Sequence, residues 1–498
     1  MAEKTVRVRF APSPTGFLHI GNLRSALYNE LFARRHNGKF VLRIEDTDLA
    51  RTVPGATQAL CRVLKALDLV PDEGVWINLK GELVEHGPFG PYTQSKRLDH
   101  YRAYAQELIA LDKAYYCFCT ERDLQAMREE QQATGQASMY NRRCRGMPRA
   151  EASKRIKQGA ANVIRLAIPT TPPLARGGAI TFTDEIRKDV SVAWSQVDDQ
   201  IILKSDGMPT YHLAATCDDH DMQITHVIRG EEWISSTPKH LFIYEAFGWT
   251  PPAFAHLPLL LNTDRSKLSK RQGDIMVEDF LAQGYLKDAL LNFVALLGWN
   301  PRADREIYSH NELRQLFDLR KINKSGAIVN FEKLNWLNRH YLRSLDQERY
   351  LELAKPYLEA LTTDIALLDR VALLMRERLT KLKDLAEVCA PFLQTRIEVD
   401  PNLLPWKSQT QTEAGLRLGA VLEVLKKAPK RAWANPEAMA KPVRQLIDSR
   451  SWSNGEVLWP LRVALSGERH SPGPFELLTA LGKERSLLRL EQAIKVLE

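Results

Sequence analysis

The stretch VRVRFAPSPTGFLHIGNLRSALYNELFARR, residues 6–35, decides the fold class. Val6, Val8 and Phe10 alternate with Arg7 and Arg9, the period of a half-exposed strand, and Leu23, Ala26, Leu27 and Leu31 then recur at helical spacing. Between them runs the loop Pro12-Ser13-Pro14-Thr15-Gly16-Phe17-Leu18-His19-Ile20-Gly21-Asn22. Its glycines suit close approach of backbone to a ligand, and its histidine stands near a helix start, where amide groups favour phosphate. Phe40 to Ile44 reads as a buried strand that stops at Glu45-Asp46-Thr47-Asp48, and a helix-like stretch follows Pro54. Strand, helix, strand, helix is the rhythm of an α/β fold with a doubly wound, Rossmann-type sheet.

Outward from this start the rhythm breaks. Residues 96–204 carry a cysteine cluster, the basic run Asn141-Arg142-Arg143-Cys144-Arg145 and a Pro/Gly-rich turn at 169–178, which together read as an inserted domain. Ile224, His226 and Ile228 then alternate into a strand ending at Arg229, and Pro258-Leu259-Leu260-Leu261 gives a further apolar run. The nucleotide fold is therefore expected to be split into 1–95 and 205–262, followed by a connecting region at 263–335. From 336 to 498 leucine- and charge-rich patterns at helical spacing predict an all-helical region.

At 498 residues the chain exceeds the size at which one hydrophobic core stops growing, so several domains are expected. Hydrophobic residues at 44% and charged residues at 26% are the balance of a soluble globular protein, and no stretch has the run of apolar residues that a membrane span needs. The start MAEKTVRVRF has neither the apolar core of a secretory signal nor an acid-poor transit peptide, so the cytoplasm is the expected compartment. A net charge of +8 suits a polyanionic partner without identifying one. The six cysteines are too scattered for a disulfide framework, and only Cys117, Cys119 and Cys144 invite a metal.

In open α/β sheets ligands bind beyond the carboxyl ends of the strands. Arg9, Glu45 and Arg229 all fall there, two cations and one anion that match a zwitterionic acid with a second carboxylate. A second basic element, Lys267-Leu268-Ser269-Lys270-Arg271, places three cations and a hydroxyl on a loop next to Gly273. Each feature alone is an ordinary surface loop or strand end. Their pairing is what carries information.

The string PSPTGFLHIGN resembles the "HIGH" element of class I aminoacyl-tRNA synthetases, and KLSKR resembles their "KMSKS" element, in the expected order around an insertion. RIEDTD at 43–48, KSDGMPTYHLA at 204–214, VIRGEEW at 227–233, STPKH at 236–240 and NWLNRHY at 335–341 narrow the resemblance to the glutamyl-tRNA synthetase family. Glutaminyl relatives end in β-barrels, which the helical pattern of 336–498 opposes. The resemblance implies an acceptor-stem-binding insertion at 96–204, a stem-contact region at 263–335 and an anticodon-binding region at 336–498. It implies ATP with Mg²⁺, L-glutamate and tRNA(Glu) as the molecules bound, no membrane, and a monomer.

Carried over position by position, His19 and Lys270 are the expected catalytic groups. His19, Gly21, Lys267, Ser269, Lys270 and Arg271 would bind ATP, and Arg9, Ala11, Ser13, Glu45, Tyr211, Arg229 and Glu232 would bind glutamate. Arg229 is expected to grip the side-chain carboxylate in a bidentate pair, with Tyr211 donating to it and Glu45 holding the ammonium. Asn22 stands where the first motif has its last histidine, and Ala215 where many relatives have asparagine, so one polar contact is expected to be missing. Cys117, Cys119 and Cys144 resemble a zinc knuckle whose usual histidine is Gly146 here; Tyr140 is the candidate fourth ligand, and without it the site is expected to be metal-free, as in relatives that have lost the cysteines. Arg378 falls where glutamate-specific relatives place an arginine that reads the last anticodon base.

Overall fold

The structure is a computed structural model that describes residues 5–169, 178–268, 276–302 and 304–498. It divides into two compact units, one of residues 1–280 and 290–331, the other of 281–289 and 332–498.

The first unit is built on two four-stranded sheets. Strands β1 (Arg7–Phe10), β2 (Lys39–Leu42) and β3 (Glu73–Ile77) run parallel in that order, and β4 (Leu83–His86) closes the edge antiparallel. Helix α1 (Ile20–Arg35) crosses from β1 to β2, and α2 (Ala56–Ala66) precedes β3. The chain then leaves through α3 (Leu98–Ala110) into a three-stranded antiparallel sheet, β5 (Ala114–Cys117), β6 (Val163–Leu166) and, last in the sequence, Ile201–Leu203. Helices α4 (Glu121–Ala133) and α5 (Arg149–Lys157) lie between β5 and β6.

A hairpin of β7 (Ala179–Asp184) and β8 (Lys188–Ala193) lies within 96–204 in sequence, yet it extends the second four-stranded sheet. With Ile201–Leu203 numbered β9, α6 (Tyr211–Asp221) leads to β10 (His226–Gly230), and α7 (Thr237–Ala246) to β11 (Ala253–Leu257); β10 and β11 are parallel, and β7 follows β11. Thr225, just before β10, donates its backbone N–H to the carbonyl of Arg7 at 2.9 Å, so β1 and β10 meet at the centre. The chain departs to opposite sides from these two strands, which makes the crevice beyond their carboxyl ends the switch point where such sheets bind ligands.

Strand β1 is buried along its whole length, not half-exposed as its alternation predicts: Arg7 is 8% and Arg9 4% exposed. Strands of a doubly wound sheet are covered on both faces, so a polar side chain there needs a partner rather than water. Both nitrogens of the Arg7 fork donate to Glu73 at 2.8 Å, and Arg9 donates to Asp219 at 2.9 Å.

The second unit contains helices and turns but no strand among its described residues, as its sequence pattern predicts. Its buried Arg489, on the last helix Pro474–Leu497, donates to the carbonyls of Pro391 and Leu465 at 2.9 and 2.6 Å. It thus satisfies acceptors that helix ends leave open. Among the described residues no helix is long and apolar enough to cross a membrane.

Candidate active site

A cavity of about 580 Å³ opens at the carboxyl ends of β1 and β10, and its walls include Arg9, Ala11, Ser13, His19, Glu45, Tyr211, Arg229 and Glu232. Every residue that the sequence assigns to amino-acid binding lines this one space. A second cavity of about 240 Å³ adjoins it, sharing His19, Asn22, Ser25, Gly230 and Glu232, and adds Gly21 and Lys267. Of the ATP set, His19, Gly21 and Lys267 are thus brought together, while Ser269, Lys270 and Arg271 lie outside the described residues.

His19 caps α1. Its Nδ1 accepts from the backbone N–H of Gly21 at 3.1 Å and of Asn22 at 3.3 Å, which answers two of the donors that a helix start leaves open. With Nδ1 accepting, a neutral ring carries its proton on Nε2 as a donor. Gly21 permits this, because a Cβ there would stand 2.9 Å from Cε1 of His19. Gly230 has a similar role, since a Cβ would meet the Glu232 carboxylate folded over it.

The pocket floor is a buried ion network. Arg43, fully buried on the β2 exit, donates to Glu45 at 2.9 Å and to Asp219 at 2.8 Å. Asp219 also takes Arg9, at 2.9 and 3.4 Å, and Nη1 of Arg9 has no partner among the described residues. Burial alone would raise Asp219, but Arg9 and Arg43 outweigh it and hold the carboxyl below its ordinary value. Glu45 is different: burial raises it in spite of Arg43 and Arg9, because Arg43 is shared with Asp219 and Asp218. Glu45 is therefore under-compensated, and a cation entering the cavity would stabilise its charge. Next to Asp219 on α6, Asp218 accepts from Arg97, Gln94 and Tyr101 at 2.7 to 2.8 Å, tying the start of the insertion to the same floor.

Arg229 ends in a ring of acceptors. Nε donates to Nε2 of His256 at 3.1 Å, Nη1 to the Tyr211 hydroxyl at 2.8 Å and towards Nδ1 of His240 at 3.3 Å, and Nη2 to Thr237 at 2.9 Å and the carbonyl of Trp233 at 3.2 Å. Four of the five guanidinium protons have acceptors and the fifth points at His240 Nδ1, so most of the fork expected to grip a carboxylate is engaged within the protein. Tyr211 lines the cavity beside Arg229, and the proton of its hydroxyl has no acceptor among the described residues. Ala215, by contrast, is 1% exposed on α6 and is not part of the cavity wall.

Sequence reasoning missed Arg43, Asp219, His256 and Trp233, whose ring packs against Tyr211 at a tilt of 39° with 4.2 Å between ring centres. A signal existed for one: Asp218-Asp219 is an acidic pair on a helix otherwise buried nearly all round, where charge requires partners.

The description "tRNA synthetases class I (E and Q), catalytic domain" matches residues 5–336, and "Anticodon binding domain" matches 349–494. The chain belongs to the class I tRNA synthetases (E and Q). A glutamate–tRNA ligase of Chloroherpeton thalassium is 44% identical over 100% of this chain and 99% of its own length, and one of Clostridioides difficile is 40% identical over 97% and 98%. A crystal structure of a glutamate tRNA ligase from Elizabethkingia meningosepticum, in complex with its amino acid, superposes with a TM-score of 0.88 at 35% identity, covering 99% of this chain and all of that one.

Two outlying sites of this synthetase remain. The sulfurs of Cys117, Cys119 and Cys144 lie within 4.8 Å of one another. The Tyr140 hydroxyl is 3.3 Å from both Cys117 and Cys119, and Cys119 is 3.6 Å from Cys144. A zinc tetrahedron with three sulfurs and one oxygen has edges of about 3.8 Å between sulfurs and about 3.5 Å from sulfur to oxygen. The donor set fits. In the helical unit Arg376 is spent on the carbonyls of Leu342, Arg343 and Leu345, whereas the neighbouring Arg378 is exposed, with Nη2 on the carbonyl of Ser471 at 2.8 Å.

Proposed function

We propose that the two adjoining cavities hold glutamate and ATP side by side, and that the chain works as a glutamate–tRNA ligase of the sequence-predicted kind. The observation that carries this reading is the set of charges lining the larger cavity: the donor Tyr211 backed by Arg229, the under-compensated Glu45, and Arg9. Glutamate has a complement for each, in its side-chain carboxylate, its ammonium and its α-carboxylate. Glutamine would present a neutral amide to a site that offers positive charge.

An oxygen of the α-carboxylate attacks the α-phosphate of ATP, the bond to pyrophosphate breaks, and glutamyl-adenylate forms. The 2′-hydroxyl of the terminal adenosine of tRNA(Glu) then attacks the acyl carbon, AMP leaves, and the hydroxyl proton passes to its phosphate. Neither step needs an enzyme nucleophile, so the protein contributes position and charge. His19 and Lys267, which line the smaller cavity, are the proposed phosphate contacts, with Lys270 as the proposed further cation. Mg²⁺ accompanies ATP and neutralises its phosphate charge. The proposed division has the acceptor end met by 96–204 and 263–335, and the anticodon by 336–498. Zinc is proposed on Cys117, Cys119, Cys144 and Tyr140 as a structural ion.

Charging assays with purified tRNA(Glu), ATP and either L-glutamate or L-glutamine test the reading. Glutamyl-tRNA with release of AMP is expected. Charging with glutamine in preference to glutamate would overturn it.

A further inference from the structure

Behind Arg229 stands a pair that is not part of the cavity wall. Asp184, at the end of β7, and His256, within β11, are both fully buried, and their side chains meet at 2.7 Å between Oδ2 and Nδ1. The remaining contacts of Asp184 fix which way it can act. Oδ1 accepts from the backbone N–H of Ile186 at 3.0 Å and Arg187 at 2.8 Å, and Oδ2 from that of His256 at 3.1 Å. A carboxylate surrounded by donors can only accept, so His256 carries its proton on Nδ1, and Nε2 is left as an acceptor. That nitrogen is the partner of Arg229 Nε at 3.1 Å, with the Thr237 hydroxyl 3.3 Å away.

We propose that Asp184 and His256 are positioning residues for amino-acid recognition: they lock an imidazole acceptor behind Arg229, which sets the guanidinium and, through it, the Tyr211 hydroxyl. This rests on the reading that Arg229 and Tyr211 meet the side-chain carboxylate of glutamate. The device is directional. If the imidazole carried its proton on Nε2, two N–H groups would face each other and Arg229 would be pushed from its seat. An oriented ring of this kind works as metal-bound histidines do, where the group behind the ring fixes its tautomer.

Asp184→Asn tests the idea with a change of one atom. The amide oxygen keeps the backbone donors of Ile186 and Arg187, and the amide nitrogen turns towards His256 Nδ1, which forces the other tautomer. In charging assays at saturating ATP and tRNA(Glu), the KM for glutamate should rise roughly ten- to a hundredfold, the scale of a hydrogen bond to a charged group, with kcat and the KM for ATP little changed. The ¹⁵N spectrum of His256 should move to the Nε2–H form. His256→Gln, which retains an oxygen acceptor, should saturate nearly as wild type, and His256→Leu should behave as Asp184→Asn; if Asp184→Asn is not recovered folded, this pair decides. Normal glutamate saturation in Asp184→Asn or His256→Leu overturns the proposal, as does equal loss in His256→Gln and His256→Leu. Arg229→Leu separates the two ideas. A normal glutamate KM in that variant overturns the pocket assignment itself, while a raised one beside normal saturation in Asp184→Asn overturns the positioning alone.

Discussion

The hydroxyl of Tyr211 accepts a hydrogen bond from Nη1 of Arg229 at 2.8 Å, which leaves its own proton without an acceptor among the described residues in the wall of the cavity. A guanidinium so engaged by its neighbours presents its charge through this phenol. Tyr211→Phe should therefore raise the KM for glutamate by roughly 1.5 to 3 kcal/mol while kcat holds, since the bond is to a charged ligand in ground and transition states alike. Arg229→Ala should be worse, by roughly 2 to 5 kcal/mol, because the carboxylate loses its countercharge. Steady-state charging with varied glutamate measures both. An unaltered KM in Tyr211→Phe would show that the phenol does not meet the ligand.

His19 has two tasks that one pair of substitutions can separate. Nδ1 caps α1, and the ring lines both cavities, where a phosphate is proposed to lie. Asparagine at position 19 keeps a capping oxygen, but its amide is too short to bring a donor to where Nε2 of the imidazole stands. His19→Asn should lower the turnover of adenylate formation by roughly a hundredfold or more, the scale of one preorganised donor to developing charge. Its thermal stability should stay close to wild type. His19→Ala should lose the same turnover and about a further 1 kcal/mol of stability from the missing cap. Equal turnover in His19→Asn and wild type would confine the histidine to its structural task.

What the sequence made legible, and what it hid, follows from the range of the interactions. Strand β1, its loop and α1 were readable because one continuous segment holds both the pattern and the ligand-facing residues. The burial of Arg7 and Arg9 was not, since alternation reports polarity and leaves open whether the polar face is wet or paired. Their partners Glu73 and Asp219 are 66 and 210 residues away. The same holds for Asp184 and His256, separated by 72 residues. A motif could name Arg229, but the acceptors that fill its fork come from α6, β11 and α7, and only folding brings them together.

Arg43 is the hub of the pocket floor, and its loss should be felt as stability. With no exposed surface it faces Glu45, Asp219 and, at 3.8 Å, Asp218. Arg43→Met keeps the volume and removes the charge, so three buried carboxylates are left with Arg9 and Arg97 alone. Breaking a buried network from one side costs about 3 to 5 kcal/mol. Urea unfolding should show a loss of that size. A change below 1 kcal/mol would mean that the carboxylates take up protons freely and the network is not a determinant of stability.

The cysteine cluster makes its own prediction through metal content. Elemental analysis of protein purified without chelator should give about one zinc per chain, as a closed tetrahedral site requires. Cys119→Ser should abolish it, because Cys119 touches both Tyr140 and Cys144. Tyr140→Phe should weaken retention against a chelator, a result that distinguishes a ligating phenol from a mere neighbour. Wild-type protein without zinc would leave the cluster as three thiols and a hydrogen-bonded tyrosine.

Arg378 offers a test of anticodon reading. Its Nη2 donates to the carbonyl of Ser471 at 2.8 Å, while the residue stays exposed. Arg462 is close enough that, after burial, the charge of Arg378 lowers its guanidinium further. Two neighbouring cations suit a polyanion. The last anticodon base is C for glutamate and G for glutamine, and an unstacked base can be read along its hydrogen-bonding edge. Cytosine presents two acceptors on that edge that an arginine fork can meet, whereas guanine presents donors there, and donors facing donors repel. A good bidentate contact is worth roughly 1 to 3 kcal/mol of discrimination. The wild type should therefore charge tRNA(Glu) well and tRNA(Gln) poorly, and Arg378→Ala should bring the two kcat/KM values closer by roughly ten- to a hundredfold, mainly through loss on tRNA(Glu). If the ratio is the same in Arg378→Ala, the arginine reads nothing. If the wild type charges both RNAs equally, the anchored side chain serves the helix packing alone.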